Sequence, residues 1–373
     1  MSVATAYRQR SIIRDWFWSV DRVSVIAAGL LILIGILLSM ATSPGAADRR
    51  DLAEPFYYLY RHIVFAVMAA ISLFVISLAS PQNARRLAML ALLCSLLAMV
   101  YILAFGHSAG GAQRWIRIAS FTLQPSEFAK PGLVVTFAWL FAKSRQANIP
   151  GSLIALGVYG ITAVLLLAQP DFGQTFLVTI CFVAVFFMSG MSWLWIVSIG
   201  ASSLAGMFAA YSFMPHVASR IDRFLDPDSG DTYQVDMAME AIQRGGFLGR
   251  GPGEGRFKNL IPDAHTDFVF SVAAEEFGMV LCVGIIGLIV TIVFRSMSRA
   301  MRLSDPTAQL AAAGLAVLFG LQAFINIAVN VQILPPKGMT LPFISYGGSS
   351  LLATGLTVGL LLSFTRSRPG VME

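Results

Sequence analysis

Charged residues are scarce in this sequence, and their scarcity excludes most classes of protein. Only 12% of the 373 residues are charged and 57% are hydrophobic, whereas soluble domains carry about 25% charged residues. The apolar residues number about 213, enough for around ten stretches of ~20 residues, the length that crosses a ~30 Å hydrocarbon core. Soluble enzymes and disordered chains are thereby excluded, and a polytopic membrane protein remains.

Cysteine is also scarce, and an alternating polar pattern is missing. The three cysteines, Cys94, Cys181 and Cys282, fall inside apolar runs at unrelated positions, so they indicate neither a metal site nor a disulfide framework. The apolar runs do not alternate with polar residues, as the strands of a membrane β-barrel would. We expect no cleavable signal peptide, because the first apolar run begins near Val23 and is long enough to remain a span.

Ten apolar runs, separated by charged or Pro/Gly-rich breaks, predict ten transmembrane helices. The expected fold is therefore all-α, a polytopic membrane bundle with a long extracytoplasmic loop between the seventh and eighth spans. We expect three regions: a cytoplasmic segment 1–22, one ten-span membrane domain 23–365 and a cytoplasmic tail 366–373. The predicted spans are 23–43, 60–79, 87–106, 125–142, 152–168, 172–190, 192–212, 268–294, 309–331 and 345–365.

The distribution of basic residues predicts the orientation of the bundle. With both termini in the cytoplasm, the inner segments hold roughly twice as many Lys and Arg residues as the short outer loops, as the positive-inside rule requires. Two outer segments, 107–124 and 213–267, are then longer or richer in motifs than a connector needs. We therefore expect the function to lie within the membrane or at its outer face.

Glu127 and Lys130 are charged residues within the fourth predicted span. Pro125 suits the first turn of a helix and Glu127 its positive end, and the i, i+3 spacing allows the carboxylate and the ammonium group to pair. One interpretation is a structural ion pair that anchors the helix end. The other is that Lys130 faces a cavity and meets an anionic ligand, since charges inside membranes usually face such interiors.

Asp267 precedes the eighth predicted span and has two interpretations as well. His265 or Thr266 is a candidate helix cap, and Asp267 then merely favours the positive end of the helix. Alternatively, a carboxylate at the outer membrane face, opposite basic residues, is a natural general base. The spacing of the residues does not decide between the two.

Three further segments attract attention. Arg114 and Trp115 are typical of an interfacial anchor. The Gly-rich stretch 245–255 lacks the strand-to-helix setting of a nucleotide loop; we interpret it as a mobile loop, with Arg256 and Lys258 available to a phosphate. The run 334–350 breaks the helix before the last span, and such broken backbone at membrane depth normally lines a cavity.

Together these motifs resemble the SEDS family (shape, elongation, division and sporulation) over essentially the whole chain. Within it, segments 170–173 and 336–340 resemble the division branch more than the elongation branch. The family's essential aspartate corresponds to Asp267. Its other functional positions imply substrate-binding roles here, and the substrate-binding candidates are Arg114, Trp115, Glu127, Lys130, His265, Lys337 and Ser345. The motifs that carry the resemblance lie at 114–116, 124–130, 169–173, 264–268 and 342–350.

The resemblance implies a peptidoglycan glycosyltransferase of the bacterial inner membrane. Such an enzyme polymerises lipid II into β-1,4-linked glycan at the outer membrane face, for the septal wall of dividing cells. The implied partners are lipid II, undecaprenyl-diphosphate-linked glycan, a class B penicillin-binding protein (a transpeptidase), other divisome membrane proteins and membrane lipids; nucleic acid is not among them.

The implied chemistry gives the candidate residues distinct roles. Asp267 would remove the proton from the acceptor hydroxyl, and Lys130, Arg114 or a loop cation would hold the departing diphosphate. No cofactor is evident, although the chemistry admits a divalent cation, Mg²⁺ or Mn²⁺, and Asp267 is also a candidate ligand for it. We expect no resident cofactor beyond that ion.

Two other functions remain open: a lipid II flippase and a non-catalytic divisome scaffold. Ten spans with intramembrane charges and a broken helix suit a transporter equally well. A flippase should, however, carry comparable polar groups toward both faces, whereas the informative motifs here cluster at the outer ends of the spans. A scaffold leaves Asp267 explained only as a helix cap. The distribution therefore favours the enzyme.

Overall fold

The computed structural model is a bundle of long helices, as the composition predicts. It describes residues 12–105, 114–118, 121–146, 149–190, 233–335 and 338–367, with scattered residues between 194 and 218. The helices described along these ranges are α1 (Ile12–Ser19), α2 (Arg22–Asp48), α3 (Tyr57–Ser77), α4 (Pro81–Phe105), α5 (Pro125–Gln146), α6 (Gly151–Ala168), α7 (Phe172–Met188), α8 (Tyr233–Gly245), α9 (Val269–Ala300), α10 (Pro306–Asn330) and α11 (Gly348–Thr365).

Nine of the ten predicted spans coincide with a described helix. Seven of these helices, namely α2, α3, α4, α6, α9, α10 and α11, are long and apolar enough to cross a membrane. Helix α7 is equally apolar but has 17 residues, and α5 has 22 residues and carries charges at both ends. The seventh predicted span, 192–212, lies largely outside the described residues.

Local sequence signals set several helix starts. The Asp305 carboxylate accepts a hydrogen bond from the backbone N–H of Thr307, and Pro306 occupies the first turn of α10, where its missing N–H costs nothing. Asp171 caps α7 in the same way by accepting from the N–H of Gln174. The two capping residues therefore mark where the connecting segments end and α7 and α10 begin.

The ends of the helices define two faces of the bundle. At one end the Asp21 carboxylate pairs with Arg295 at 2.8 Å, and Arg366 donates to the Ser19 hydroxyl at 2.7 Å. These four residues define the termini face, since they lie beside the start of α2 and the end of α11. The opposite ends of the same helices form the Asp267 face.

Helices α10 and α11 form the centre of the bundle. Their apolar windows are 72% and 89% buried, whereas those of α2, α3, α4, α6 and α9 are 22–39% buried. Small residues allow this close packing: a Cβ on Gly355 would lie 2.5 Å from the Ala69 carbonyl oxygen of α3. Such small-residue contacts bring helix backbones together in membranes, where no hydrophobic force acts between helices.

Two small elements were not predicted. Helix α1 precedes the first span and is held by the Trp16 indole N–H, which donates to the Ser77 hydroxyl at 2.7 Å. Strands β1 (Ile116–Ile118) and β2 (Phe121–Leu123) form an antiparallel hairpin before α5. Helix α1 is too short, and the strands pair too locally, to show as apolar periodicity.

The Gly-rich stretch 245–255 is pinned to α9, so our interpretation of it as a mobile loop is wrong. Helix α9 is broken at Gly278, which has φ 73° and ψ −170°. The polar groups opened by this break bond to the Gly-rich stretch: the N–H of Met279 donates to the Gly246 carbonyl at 3.0 Å, and the N–H of Gly251 donates to the Glu276 carbonyl at 3.0 Å. The long outer segment therefore includes helix α8 and an ordered, glycine-dependent contact.

Two neighbouring glutamates complete that contact. The Glu275 carboxylate accepts from the backbone N–H groups of Arg256, Phe257 and Lys258 at 2.7–3.1 Å, where a 3₁₀ turn (Phe257–Asn259) begins. The Lys258 ammonium group is buried and pairs with Glu276. Lys258 is therefore engaged within the fold, and the expectation that it is available to a phosphate is wrong.

Candidate functional site

Asp267 stands just before α9 and presents an open carboxylate. Among the described residues, this carboxylate has no hydrogen-bond or ion-pair partner, and its side chain is partly exposed. Gly338, with φ 63°, lies opposite: a Cβ there would be 3.6 Å from Asp267 Oδ2. The broken segment before α11 thus approaches the carboxylate, and a Cβ at position 338 would be in van der Waals contact with it.

The surroundings of Asp267 raise the pKa of its carboxyl group to about 7. Burial against the protein disfavours the charged form, and the nearby Asp263 carboxylate adds like-charge repulsion. A carboxyl group that titrates near neutral pH takes up and releases a proton at working pH, which is the property of an efficient general base.

Lys130 lies in a buried polar cluster at the start of α5. Its Nζ is 2.9 Å from Glu127 Oε2 and donates to Gln322 Oε1 at 2.9 Å. Glu127 in turn accepts from the Gln174 amide at 2.6 Å, and Lys130 and Glu127 are 3% and 5% exposed. The predicted ion pair is confirmed, and the pair also joins α5 to α7 and α10.

Three amide side chains on α10 connect the Lys130 cluster to Asp267. Gln322, Asn326 and Asn330 recur every four residues, so they share one helix face; we call them the amide stripe. Gln322 donates to the Thr340 carbonyl at 3.2 Å, and Asn326 donates to the carbonyl groups of Met339 and Asp267 at 2.6 and 2.9 Å. The stripe was not predicted, although three amides at this spacing in an apolar stretch of helix are the sequence signal for it.

Contacts within the broken segment 331–347 and with helix α2 also hold this segment in place. The Ser345 hydroxyl oxygen accepts from the Leu341 N–H at 2.8 Å, Phe343 has a φ of 64°, and the Phe343 carbonyl oxygen lies 2.6 Å from where a Cβ on Gly35 would be. Ser345 is buried and shapes this turn. Lys337, another predicted substrate-binding residue, lies outside the described residues.

Arg114 binds the turn between α6 and α7 rather than Asp267. Its guanidinium donates to the carbonyl groups of Gln169, at 2.9 Å, and of Pro170, and it lies 3.7 Å from the Asp171 carboxylate. Burial raises the pKa of Asp171 although Arg114 opposes the shift. Trp115 beside it is 41% exposed, as an interfacial anchor should be.

His265 is packed among aromatic rings. Its ring centroid lies 4.7 Å from that of Tyr58 and 5.5 Å from that of Tyr346, and its carbonyl accepts from the Tyr346 N–H at 2.9 Å. Burial, with Arg50 and Arg49 nearby, lowers the pKa of His265 to about 4, so the ring is neutral at pH 7. The prediction that His265 or Thr266 caps α9 is wrong, because Phe268 holds the cap position without a side-chain bond.

The described residues contain no group of three His, Cys, Asp or Glu side chains arranged to hold a metal ion. Asp267 and Asp263 are the carboxylates that lie near one another beside the open site. Mg²⁺ commonly uses one or two carboxylates and completes its shell with waters and substrate phosphates. These two carboxylates alone do not make such a site, so a cation here would need diphosphate oxygens of the substrate as further ligands.

Comparison with known proteins gives consistent matches over nearly the whole chain. Residues 21–369 match the family model FTSW_RODA_SPOVE, described as cell cycle protein. A probable peptidoglycan glycosyltransferase FtsW of Caulobacter vibrioides (strain NA1000 / CB15N) is 48% identical, covering 98% of this chain and 94% of the relative. Its counterpart from Trichlorobacter lovleyi (strain ATCC BAA-1151 / DSM 17278 / SZ) is 36% identical, covering 92% and 93%.

Two solved structures share the fold. One, described as the structural coordination of polymerization and crosslinking by a peptidoglycan synthase complex, matches with a TM-score of 0.77 and 28% identity, covering 93% of this chain and 97% of the other. The rod shape determining protein RodA of Thermus thermophilus matches with a TM-score of 0.68 and 26% identity, covering 93% and 96%.

Proposed function

The chain belongs to the FtsW/RodA/SpoVE family of cell cycle proteins, the SEDS family, in its FtsW branch, and from this premise we propose how it polymerises glycan, with Asp267 as the general base. It is a multi-pass inner-membrane peptidoglycan glycosyltransferase of cell division. The observation that carries the proposal is the Asp267 carboxylate, unpartnered among the described residues and with its pKa raised to about 7.

The proposed reaction is an inverting glycosyl transfer. Asp267 takes the proton from the GlcNAc 4-hydroxyl of an incoming lipid II, and the oxygen attacks the anomeric carbon of the growing glycan. The bond from that carbon to the lipid diphosphate breaks, and its electron pair leaves with the undecaprenyl diphosphate. The product is a β-1,4 link, and a base so placed contributes about 10²–10⁴-fold in rate.

Positive charge is needed where the diphosphate departs. An ammonium group has three N–H donors, of which Lys130 uses two, on Glu127 and Gln322. We assign the third to a diphosphate oxygen. Arg114, through its hold on the α6–α7 turn, and Lys337 are the other cationic candidates, and Trp115, His265 and Ser345 are proposed to shape the substrate's path.

A divalent cation, Mg²⁺ or Mn²⁺, fits beside this site only with help from the substrate. Asp267 and Asp263 would hold it together with diphosphate oxygens. When bound, such an ion would neutralise charge on the leaving group. Because a bound cation competes with the proton for the carboxylate, the proton transfer proposed above takes place while Asp267 is not a ligand of that ion.

The partners and the orientation are part of the proposal. A structural relative forms a peptidoglycan synthase complex, which supports a peptidoglycan synthase partner here. We propose that this partner is a class B penicillin-binding protein, and that other divisome membrane proteins join it at the septum. We also propose that the termini face is cytoplasmic, so that the Asp267 face meets lipid II outside.

The test is polymerisation of purified lipid II by the protein with its penicillin-binding partner in detergent. Wild type should make glycan polymer, and Asp267→Ala should make about a hundredth as much or less, since a lost base costs ~10²–10⁴-fold in rate. Polymer that persists in Asp267→Ala contradicts the base assignment. No polymer from wild type, together with lipid II translocation in vesicles, would favour the flippase instead.

A further inference from the structure

The amide stripe of α10 is expensive to keep within a membrane bundle. Gln322, Asn326 and Asn330 are all buried in a helix that is otherwise apolar beyond Gln309, and a buried amide without hydrogen bonds is strongly destabilising there. All three are bonded, and their partners lie outside α10 for the most part. They therefore act on other segments rather than on their own helix.

Asn330 is inserted into the first turn of α9. In a continuous helix the N–H of Ser271 would donate to the carbonyl of Asp267, four residues earlier. Instead, Ser271 N–H donates to Asn330 Oδ1 at 3.1 Å, and Asn330 Nδ2 donates to the Asp267 carbonyl at 2.9 Å. The second proton of Nδ2 goes to the Asn326 carbonyl at 2.9 Å. The amide thus replaces one backbone bond by two, and α9 begins at Val269 with Asp267 outside it.

Asn326 shares this carbonyl and ties it to the broken segment. Its Nδ2 bridges the carbonyl oxygens of Asp267 and Met339, one residue beyond Gly338, which faces the Asp267 carboxylate. One turn earlier on α10, ~5.4 Å away, Gln322 bonds both Lys130 and Thr340. The three amides therefore fix α5, the start of α9 and the segment 338–341 on one helix.

We propose that the amide stripe is a positioning element of the glycosyltransferase site: Asn330 and Asn326 hold Asp267 out of α9 and against segment 338–341, and Gln322 holds Lys130 at a fixed distance from it. This inference rests on the proposed function. Gln322, Asn326 and Asn330 are positioning residues, since they act through Lys130 and Asp267 and not on the substrate itself.

Asn330→Leu tests the inference without emptying the core, since leucine keeps the branched arrangement of heavy atoms of asparagine and replaces its oxygen and nitrogen by methyl groups. The freed Ser271 N–H and Asp267 carbonyl can bond to each other, extending α9 and turning Asp267 away, so the variant should fold. With the base misplaced by about 1 Å, kcat should fall ~100-fold while KM for lipid II stays within about twofold. Gln309→Leu, which also replaces an amide by leucine on α10 but at the termini face, is the control and should match wild type.

The pH dependence separates positioning from packing. A turned, more hydrated Asp267 has a lower pKa, so the acid limb of the rate profile should move to lower pH in Asn330→Leu. Loss of folded protein alone would scale the rate without moving the midpoint. Unchanged kcat, or a rate that falls only with the folded fraction at an unchanged midpoint, overturns the proposal.

The two ends of the stripe should also be coupled. Gln322→Leu removes a hydrogen bond to Lys130 and should raise KM for lipid II. The rate of the double variant Gln322→Leu/Asn326→Leu should differ from the product of the two single effects by about threefold or more, as it does for residues that interact. Multiplicative effects contradict a single unit.

One readout is independent of activity, and it distinguishes failure of the stripe from failure of the proposed function. In Asn326→Leu, hydrogen exchange of the amides in 338–346 should rise at least about tenfold, relative to Gln309→Leu. If wild type makes no polymer, the proposed function fails, and this exchange decides the positioning role alone. Equal exchange in the two variants overturns it.

Discussion

The rate of glycan synthesis should titrate with Asp267, with half of the maximal rate near pH 7. A base works only when ionised, and burial together with Asp263 places the pKa of Asp267 at about 7. About 10% of the protein is then active at pH 6 and about 1% at pH 5, whereas a carboxyl group with the ordinary pKa of 3.8 would be more than about 90% ionised at pH 5. The rate should therefore fall roughly tenfold for each unit below pH 6.

The assay is the initial rate of lipid II polymerisation at low substrate, because kcat/KM reports the pKa of the free enzyme. Asp263→Asn is the control: it removes the like charge but not the burial, so the midpoint should move to lower pH without reaching that of a free carboxyl group. A rate that is constant from pH 5 to pH 8 would refute the reasoning.

The raised pKa of Asp267 has a counterpart in stability. Between pH 4 and pH 7 the Asp267 carboxyl group keeps its proton in the folded state and has lost it in the unfolded state. Its contribution to the free energy of unfolding is therefore fully present below about pH 4 and is lost as the pH rises through about 7. Asp267→Asn does not titrate. Its thermal stability relative to wild type should therefore be greater at pH 8 than at pH 4, and an equal difference at both values would contradict the raised pKa.

Three further predictions concern the Lys130–Glu127 ion pair, the Glu275 carboxylate and the break in α9 at Gly278. Lys130→Ala leaves the Glu127 carboxylate buried without its ion-pair partner and should lower the free energy of unfolding by about 3–5 kcal/mol. The double variant Lys130→Met/Glu127→Gln should recover most of the melting temperature but not polymerisation. Recovery of both would make the pair purely structural. Glu275→Ala frees three backbone N–H groups and should raise hydrogen exchange across 256–260, so unchanged exchange counts against the cap. Gly278→Ala places a Cβ 2.3 Å from the Phe247 carbonyl oxygen at a φ of 73° and should lower the melting temperature sharply. Gly284→Ala, whose Cβ would have no atom within 4 Å, is the control and should not. Similar losses in the two variants would contradict a strained break.

The parts of the fold that depend on local sequence could be predicted. Apolar runs locate the spans because a helix in lipid must bury its own backbone groups, and the Glu127–Lys130 pair follows from an i, i+3 spacing on one helix. Asp267 stood out because a carboxylate beside a span is costly. Each inference needed a single segment of the chain.

The parts that depend on tertiary register could not be predicted. The insertion of Asn330 between Asp267 and Ser271 needs α9 and α10 to meet at one particular offset, and neither helix alone indicates it. The same holds for Lys258, whose partner Glu276 lies 18 residues further along the chain, two residues before the break at Gly278. The glycines of 245–255 were therefore interpreted as a sign of mobility, and Lys258 as a free charge.

The ion pairs at the termini face have a consequence for how the chain is made. Asp21, buried at the start of the first span, pairs with Arg295 and Arg299, which follow it by 274 and 278 residues. At 5–20 residues per second, a ribosome needs roughly 14–55 s to cover that distance. Until then, the first span waits in the bilayer with a carboxylate that has not met its partners, so the termini face closes only after the end of α9 has been made.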